Sequence, residues 1–274
     1  MKSNTRERVV TYVVLGFFSI ITLYPIVGTV LEGLTPESST ATGFHIPWPP
    51  DWSNFAAAWT TGEFSIFLRS SAIVAGAVVL TSTILSILAG YAFGTMKFRG
   101  RTALFYFALF GLLVPAEATI IPLYYDFNGF GLTNTYWSVI LPDVGVSVAF
   151  GIFWMRAFFL SAPRSVMEAA RLDGASTWSI LWRVLVPLAR PAILTMMVLQ
   201  FTWTWNDFLL PLVMLQSPNV TTAPLGISLF VQEFNTQYQQ LCAAAVIVAS
   251  PIVVVYLFLQ RHFIRGMISG AMKL

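Results

Sequence analysis

Residues 161–191 read SAPRSVMEAARLDGASTWSILWRVLVPLARP, a polar stretch in an otherwise apolar chain. Arg164, Arg171, Arg183 and Arg190 lie inside it and Arg156 at its edge. A charge at the centre of a bilayer costs about 2.5–3.5 kcal/mol on insertion scales, so this stretch belongs outside the hydrocarbon. Its internal order is that of two short helices. Ser161 is suited to cap the first, with Pro163 in its opening turn, and Gly174 to end it in the left-handed conformation. Ser176 is suited to cap the second, which Pro187 is expected to close. A helix–glycine–helix module on one face of a membrane protein has the form of a docking surface for a soluble partner.

Working outward, the chain has 274 residues, 57% hydrophobic and only 10% charged. Soluble domains carry about 25% charged residues. The apolar residues also come in long blocks, which decides for a membrane protein over a soluble one with a large core. No residue from Val9 to Leu31 is charged, nor any from Ser70 to Met96. Both runs exceed the roughly 20 residues that cross a bilayer. The pattern predicts an all-α, polytopic protein of one domain, 1–274, with six spans at about 9–31, 70–96, 103–125, 136–158, 192–215 and 241–260. The third is expected to kink or break, because Pro115 and Pro122 each remove a backbone hydrogen bond. Lys2, Arg6 and Arg8 precede the first run as in a signal peptide. That run is too long and no small-residue cleavage site follows, so a retained first span is the better reading.

With the N-terminus in the cytoplasm, 14 of the 15 Lys and Arg residues fall inside, Arg69 being the exception. The positive-inside rule therefore puts both termini in the cytoplasm. The basic balance follows from this topology, and no basic stripe with interleaved aromatics points to nucleic acid. The first outer segment, about 32–68, contains HIPWPPDW and reads as an extended interfacial passage with Trp48, Trp52 and Trp59 as headgroup anchors. Cys242 is the sole cysteine, so no internal disulfide or Cys-rich metal site is available. His45 and His262 fall on opposite sides of the membrane and share no site. The chain has no G-x-x-x-x-G-K-[ST] phosphate loop and no H-E-x-x-H. An integral-membrane enzyme would need His, Asp or Glu clustered at one depth, which is absent. A stand-alone channel or secondary transporter would not need a docking loop.

The polar stretch resembles the EAA loop of ABC importer permeases: Glu-Ala-Ala, three residues, Gly, nine residues, then Ile-x-Leu-Pro. Here it reads Glu168, Ala169, Ala170, Gly174, Val184, Val186 and Pro187, two conservative departures at intact spacing. GYAFGTMKFRGRTALF, IPLYYDFNGFGLTNTYWSVILP, WNDFLLPLVML and QRHFIRGMISGAMKL resemble the MalG-like branch of carbohydrate uptake permeases. The resemblance implies the type I importer permease (MetI-like) fold in a bacterial inner membrane. It implies a second, MalF-like permease, two ABC ATPase subunits and an extracytoplasmic solute-binding protein. ATP and Mg would be bound by the ATPase and no cofactor by this chain. The loop, about 161–191, would be the coupling helix, with Glu168, Ala169, Ala170, Asp173, Gly174 and Pro187 at the ATPase. The segment Arg265–Leu274 would reach the ATPase dimer. Ala169 and Ala170 are small enough for close backbone approach. Asp173 sits where the macrodipole of a helix C-terminus disfavours an acid by about 0.3–1 kcal/mol, so it is expected to have a partner group.

Ionisable residues inside the membrane are the default functional candidates. Glu117 follows Pro115. Gln200, Trp203, Asn206 and Asp207 recur at helical spacing on one face. Carboxylates and amides exchange hydrogen bonds with sugar hydroxyls, and an indole covers the apolar face of a pyranose, so this set reads as a sugar path. Structural readings stand beside it: Asp207 caps a helix break before Pro211 or pairs across the permease interface, Glu117 sits hydrated near the outer surface, and Trp203 and Trp205 face lipid or the partner subunit. A glycerol phosphate or other anion should call for Arg or Lys in the spans, and none lies near the midplane; a polyamine remains a further non-sugar alternative.

Overall fold

The computed structural model describes the backbone of residues 5–39, 43–231 and 237–271; Lys2, Glu233, Asn235 and Lys273 lie outside them. All regular structure in these residues is helical. Two compact units are formed, one by residues 1–65 with 226–250 and the other by 66–225 with 251–274.

In the first unit, α1 (Thr5–Gly33) is a 29-residue helix, and its apolar residues from Val9 to Val27 are exposed on every side. Its C-terminal carbonyls are satisfied from α2 (Ser53–Thr61): the buried Asn54 amide donates to Gly33 O at 3.2 Å and Thr35 O at 2.8 Å. The outer segment at about 32–68 is thus not wholly extended, as the sequence led us to expect, because it carries α2. Asp51 Oδ1 accepts from Ser53 Oγ at 2.6 Å and Ser53 N at 2.9 Å, and these bonds hold its carboxyl below the usual carboxylate range. Trp48, Trp52 and Trp59 are all exposed.

The second unit starts with most of α3 (Phe64–Thr95), followed by α4 (Arg101–Phe110), α5 (Ala116–Gly129), α6 (Trp137–Ser161) and α7 (Arg164–Leu172). Then come α8 (Thr177–Ser179), a π-type turn over Ile180–Leu185, α9 (Val186–Asn206), α10 (Leu209–Met214) and α11 (Ala223–Gly226). The chain ends on α12 (Tyr238–Ala271). The expected third span is broken into α4 and α5. Pro115 stands in extended conformation at the start of α5, where its missing N–H is no loss. At 1.5 Å per residue, neither half is long enough to cross about 30 Å of hydrocarbon alone. Pro122 sits inside α5 without ending it.

Three other boundaries move. Ser161 does not cap α7; it is the last residue of α6, and its hydroxyl donates to Phe158 O at 2.8 Å. Pro163 holds the N-cap position instead. Pro187 does not close a second short helix. The wider i→i+5 turn before it makes room for the ring, and one helical run continues from Thr177 to Asn206. The fifth span therefore begins well before residue 192 and breaks at Asp207, not at 215. The backbone of α12 stays helical to Ala271, well past the expected end of the sixth span at 260; residues 272–274 lie outside the described residues.

Close packing of α3 on α6 depends on small residues. A Cβ on Gly90 would come within 2.5 Å of Met155 Cβ and 3.0 Å of Arg156 N. A Cβ on Gly94 would meet Phe159 Cβ at 2.9 Å. In a bilayer, where apolar side chains gain little by leaving lipid, such backbone approach supplies the association energy. Met155, Phe159, Leu181, Leu185 and Met196 fill the core beside it. A polar tie crosses three helices: Ser82 Oγ donates to Gln200 Oε1 at 3.0 Å, and Gln200 Nε2 donates to Ser147 O at 2.9 Å.

Candidate functional site

Two features of the second unit carry functional weight. One is the polar module. Helix α7 ends in a reciprocal turn: Gly174 N donates to Arg171 O and Ala175 N to Ala170 O, each at 3.0 Å. Gly174 has φ +79°, the left-handed value this closure requires. Ser176 Oγ then accepts from Ser179 N at 3.2 Å and caps α8. Met167, Ala170 and Ala175 pack on the core, and this fixes the module's inner side. Glu168, Ala169 and Asp173 are exposed, and Leu172 is 90% exposed. Trp178 is also exposed, with its ring edge-on to Trp182 at 5.5 Å. An exposed leucine and tryptophan thus stand beside acids and arginines on this surface. Pro187 is also exposed and lies in the helical run behind the π-type turn.

The other feature is a cavity of about 600 Å³ between α5, α6, the end of α9 and α10, within the usual 300–1,000 Å³ of a small-molecule site. Glu117, Asp143, Trp203 and Asp207 line it. Glu117 is in the first turn of α5, at the helix break, where the dipole favours an acid. Asp207 is extended at the end of α9, and its Oδ1 accepts from Leu210 N at 3.5 Å. It therefore both caps the break and faces the cavity. Trp203 packs edge-on to Phe150, centroids 4.8 Å apart. The remaining wall is mostly apolar.

Of the five residues expected along a solute path, the cavity gathers Glu117, Trp203 and Asp207 but not Gln200 or Asn206. Gln200 is fully buried in the three-helix tie. Asn206 is exposed, and its Nδ2 donates back to Thr202 O at 2.8 Å. The regular spacing grouped the four from Gln200 to Asp207, but α9 rotates its residues through 100° each and the cavity takes only part of the face. Asp143 was missed as a lining residue. It lies inside the expected fourth span, and the rule that flags intramembrane ionisable groups picks it out.

Residues 82–269 match the family model of the binding-protein-dependent transport system inner membrane component. The chain belongs to this family. It is a membrane permease subunit of an ABC transporter, not an enzyme, with ATP hydrolysis residing on a separate ATPase. The permease is 31% identical to YurM, a probable ABC transporter permease of Bacillus subtilis, over 96% of this chain and 87% of that one. It is likewise 31% identical to AraQ, the arabinooligosaccharides transport system permease of Halalkalibacterium halodurans, over 94% of both. Its fold matches a chain of a bacterial ABC transporter that imports the acidic polysaccharide alginate, with TM-score 0.78, 25% identity and coverage of 96% and 99%. The permease is thus an all-α inner-membrane protein with the importer permease fold, as its resemblance to the EAA family implies.

Proposed function

We propose that this permease moves a saccharide into the cell, working with a second permease, two ATPase subunits and an external solute-binding protein. The solutes named for AraQ and for the alginate importer support a saccharide. They also differ in charge, so family membership leaves the charge class open. Both termini lie in the cytoplasm, a reading supported by 14 of 15 Lys and Arg residues on that side. The α7–α8 module docks on the ATPase, and the cavity is this chain's share of the solute path.

The observation that carries this reading is the unbroken helical run from Thr177 to Asn206. One end joins the exposed module and the other ends on Trp203 and Asp207 at the cavity. Its 30 residues span about 45 Å at 1.5 Å each, so a push on the module is delivered to the cavity by a rigid element. The test is a reconstituted transporter carrying Gly174→Val. A β-branched residue at φ +79° costs about 1–2 kcal/mol locally, enough to reshape the turn without unfolding the spans. Membrane insertion and pairing with the second permease should persist, while ATPase docking or solute-stimulated hydrolysis falls at least tenfold. Normal docking together with normal saccharide uptake would sink the reading.

A further inference from the structure

We propose that Glu117, Asp143 and Asp207 set the charge preference of the α5–α6–α9 cavity, so that it admits neutral and amine-bearing saccharides and turns back carboxylated or phosphorylated ones. This rests on the reading of the cavity as the solute path. The three carboxylates come from α5, from α6 and from the α9–α10 break. Asp207 is close enough to interact electrostatically with both Asp143 and Glu117. Among the described residues no lysine, arginine or histidine lines the cavity.

Two of the three have a structural use already. Glu117 complements the N-terminus of α5 and Asp207 caps α10. Asp143 is placed differently: its Oδ2 is buried and has no hydrogen-bond partner among the described residues. A buried acceptor left unpaired is unfavourable, and a donor brought by a solute relieves it. A hydroxyl or an ammonium group is such a donor. A carboxylate or phosphate brings only more acceptors and a like charge into a poorly screened space. The half-charge at the α5 N-terminus opposes this, but Glu117 stands in that same first turn and offsets it.

The experiment uses the assembled transporter in nanodiscs, with Cys242→Ser and Gly145→Cys. Gly145 lines the cavity, and a Cβ there meets nothing within 4 Å. Methanethiosulfonates bearing trimethylammonium or sulfonate are compared, each rate divided by that on a free thiol. The cationic reagent should react at least tenfold faster, a difference of about 1.4 kcal/mol. In Glu117→Gln/Asp143→Asn/Asp207→Asn the ratio should fall to within twofold of unity, and in Asp143→Asn alone, which keeps both structural caps, at least threefold. A starting ratio near unity, a ratio unmoved by Asp143→Asn, or no labelling by either reagent overturns the proposal. This arm involves no sugar, so it is decided separately from saccharide transport. In a second arm, a β-1,4-linked glucosamine disaccharide should outcompete digalacturonate for the same assembly by saturation-transfer NMR; the reverse order overturns the proposal.

Discussion

The exposed module at residues 164–179 and the cavity at the other end of α9 are built on opposite terms. The module is a surface whose shape is local. Its turn closes through Ala170, Arg171, Gly174 and Ala175, and its cap through Ser176 and Ser179, all within ten residues. The cavity is an absence between elements that are distant in sequence: Glu117, Asp143, Trp203 and Asp207 meet only because α5, α6 and α9 pack as they do. A surface can be altered without loss of the fold, whereas a cavity wall is also a packing interface.

That contrast is open to test. The largest effect is expected where the helices touch most closely. Gly90→Val puts three carbons where Met155 Cβ and Arg156 N already stand, and overpacking of this kind costs about 1–3 kcal/mol or more. Both regions should fail together, read as loss of the folded permease from detergent extracts and a collapse of its melting transition. Survival of a folded, active protein would mean that the α3–α6 approach does not scaffold the cavity.

Next in size is Gln200→Ala. It removes the side chain that joins Ser82 to Ser147 and leaves buried polar groups unpaired, at about 1–3 kcal/mol. The melting temperature should drop while the relative uptake of different saccharides stays the same. A changed preference at unchanged stability would return Gln200 to the solute path. The smallest effect belongs to Asn206→Ala. Its amide bonds only its own helix at Thr202, so uptake should stay within twofold, in contrast to Asp207→Asn one residue on, which should lower it several-fold. Equal losses in both would erase the distinction between the face of α9 and the wall of the cavity.

Much of the module was legible because its determinants are short-range. A glycine five residues past Ala169 and a serine two further specify a left-handed turn and a cap in any context. The exception is instructive: Pro187 looked like a terminator, yet a π-type turn at Ile180–Leu185 carries the helix past it. Proline forbids one hydrogen bond but does not dictate how the turn before it adjusts. The cavity was half legible. Charge in an apolar span marked Glu117 and Asp207, and the same signal was present at Asp143. Helical spacing on α9 then grouped Gln200 and Asn206 with them, because periodicity defines a face without saying what the face meets.

By itself, then, the sequence determined the membrane class, the rough places of the spans but not their ends, the break near Pro115 and the family through its EAA spacing, since each follows from hydropathy or from residues near one another in the chain. Only the tertiary structure decided that Gln200 is a buried tie, that Asn206 turns back on its helix, and that Asp143 joins Glu117 and Asp207 in one cavity. Those outcomes depend on which helix packs against which, and at what rotation. Packing of that kind is set by small residues such as Gly90 and Gly94 meeting side chains some 65 positions away, a relation that no local pattern encodes.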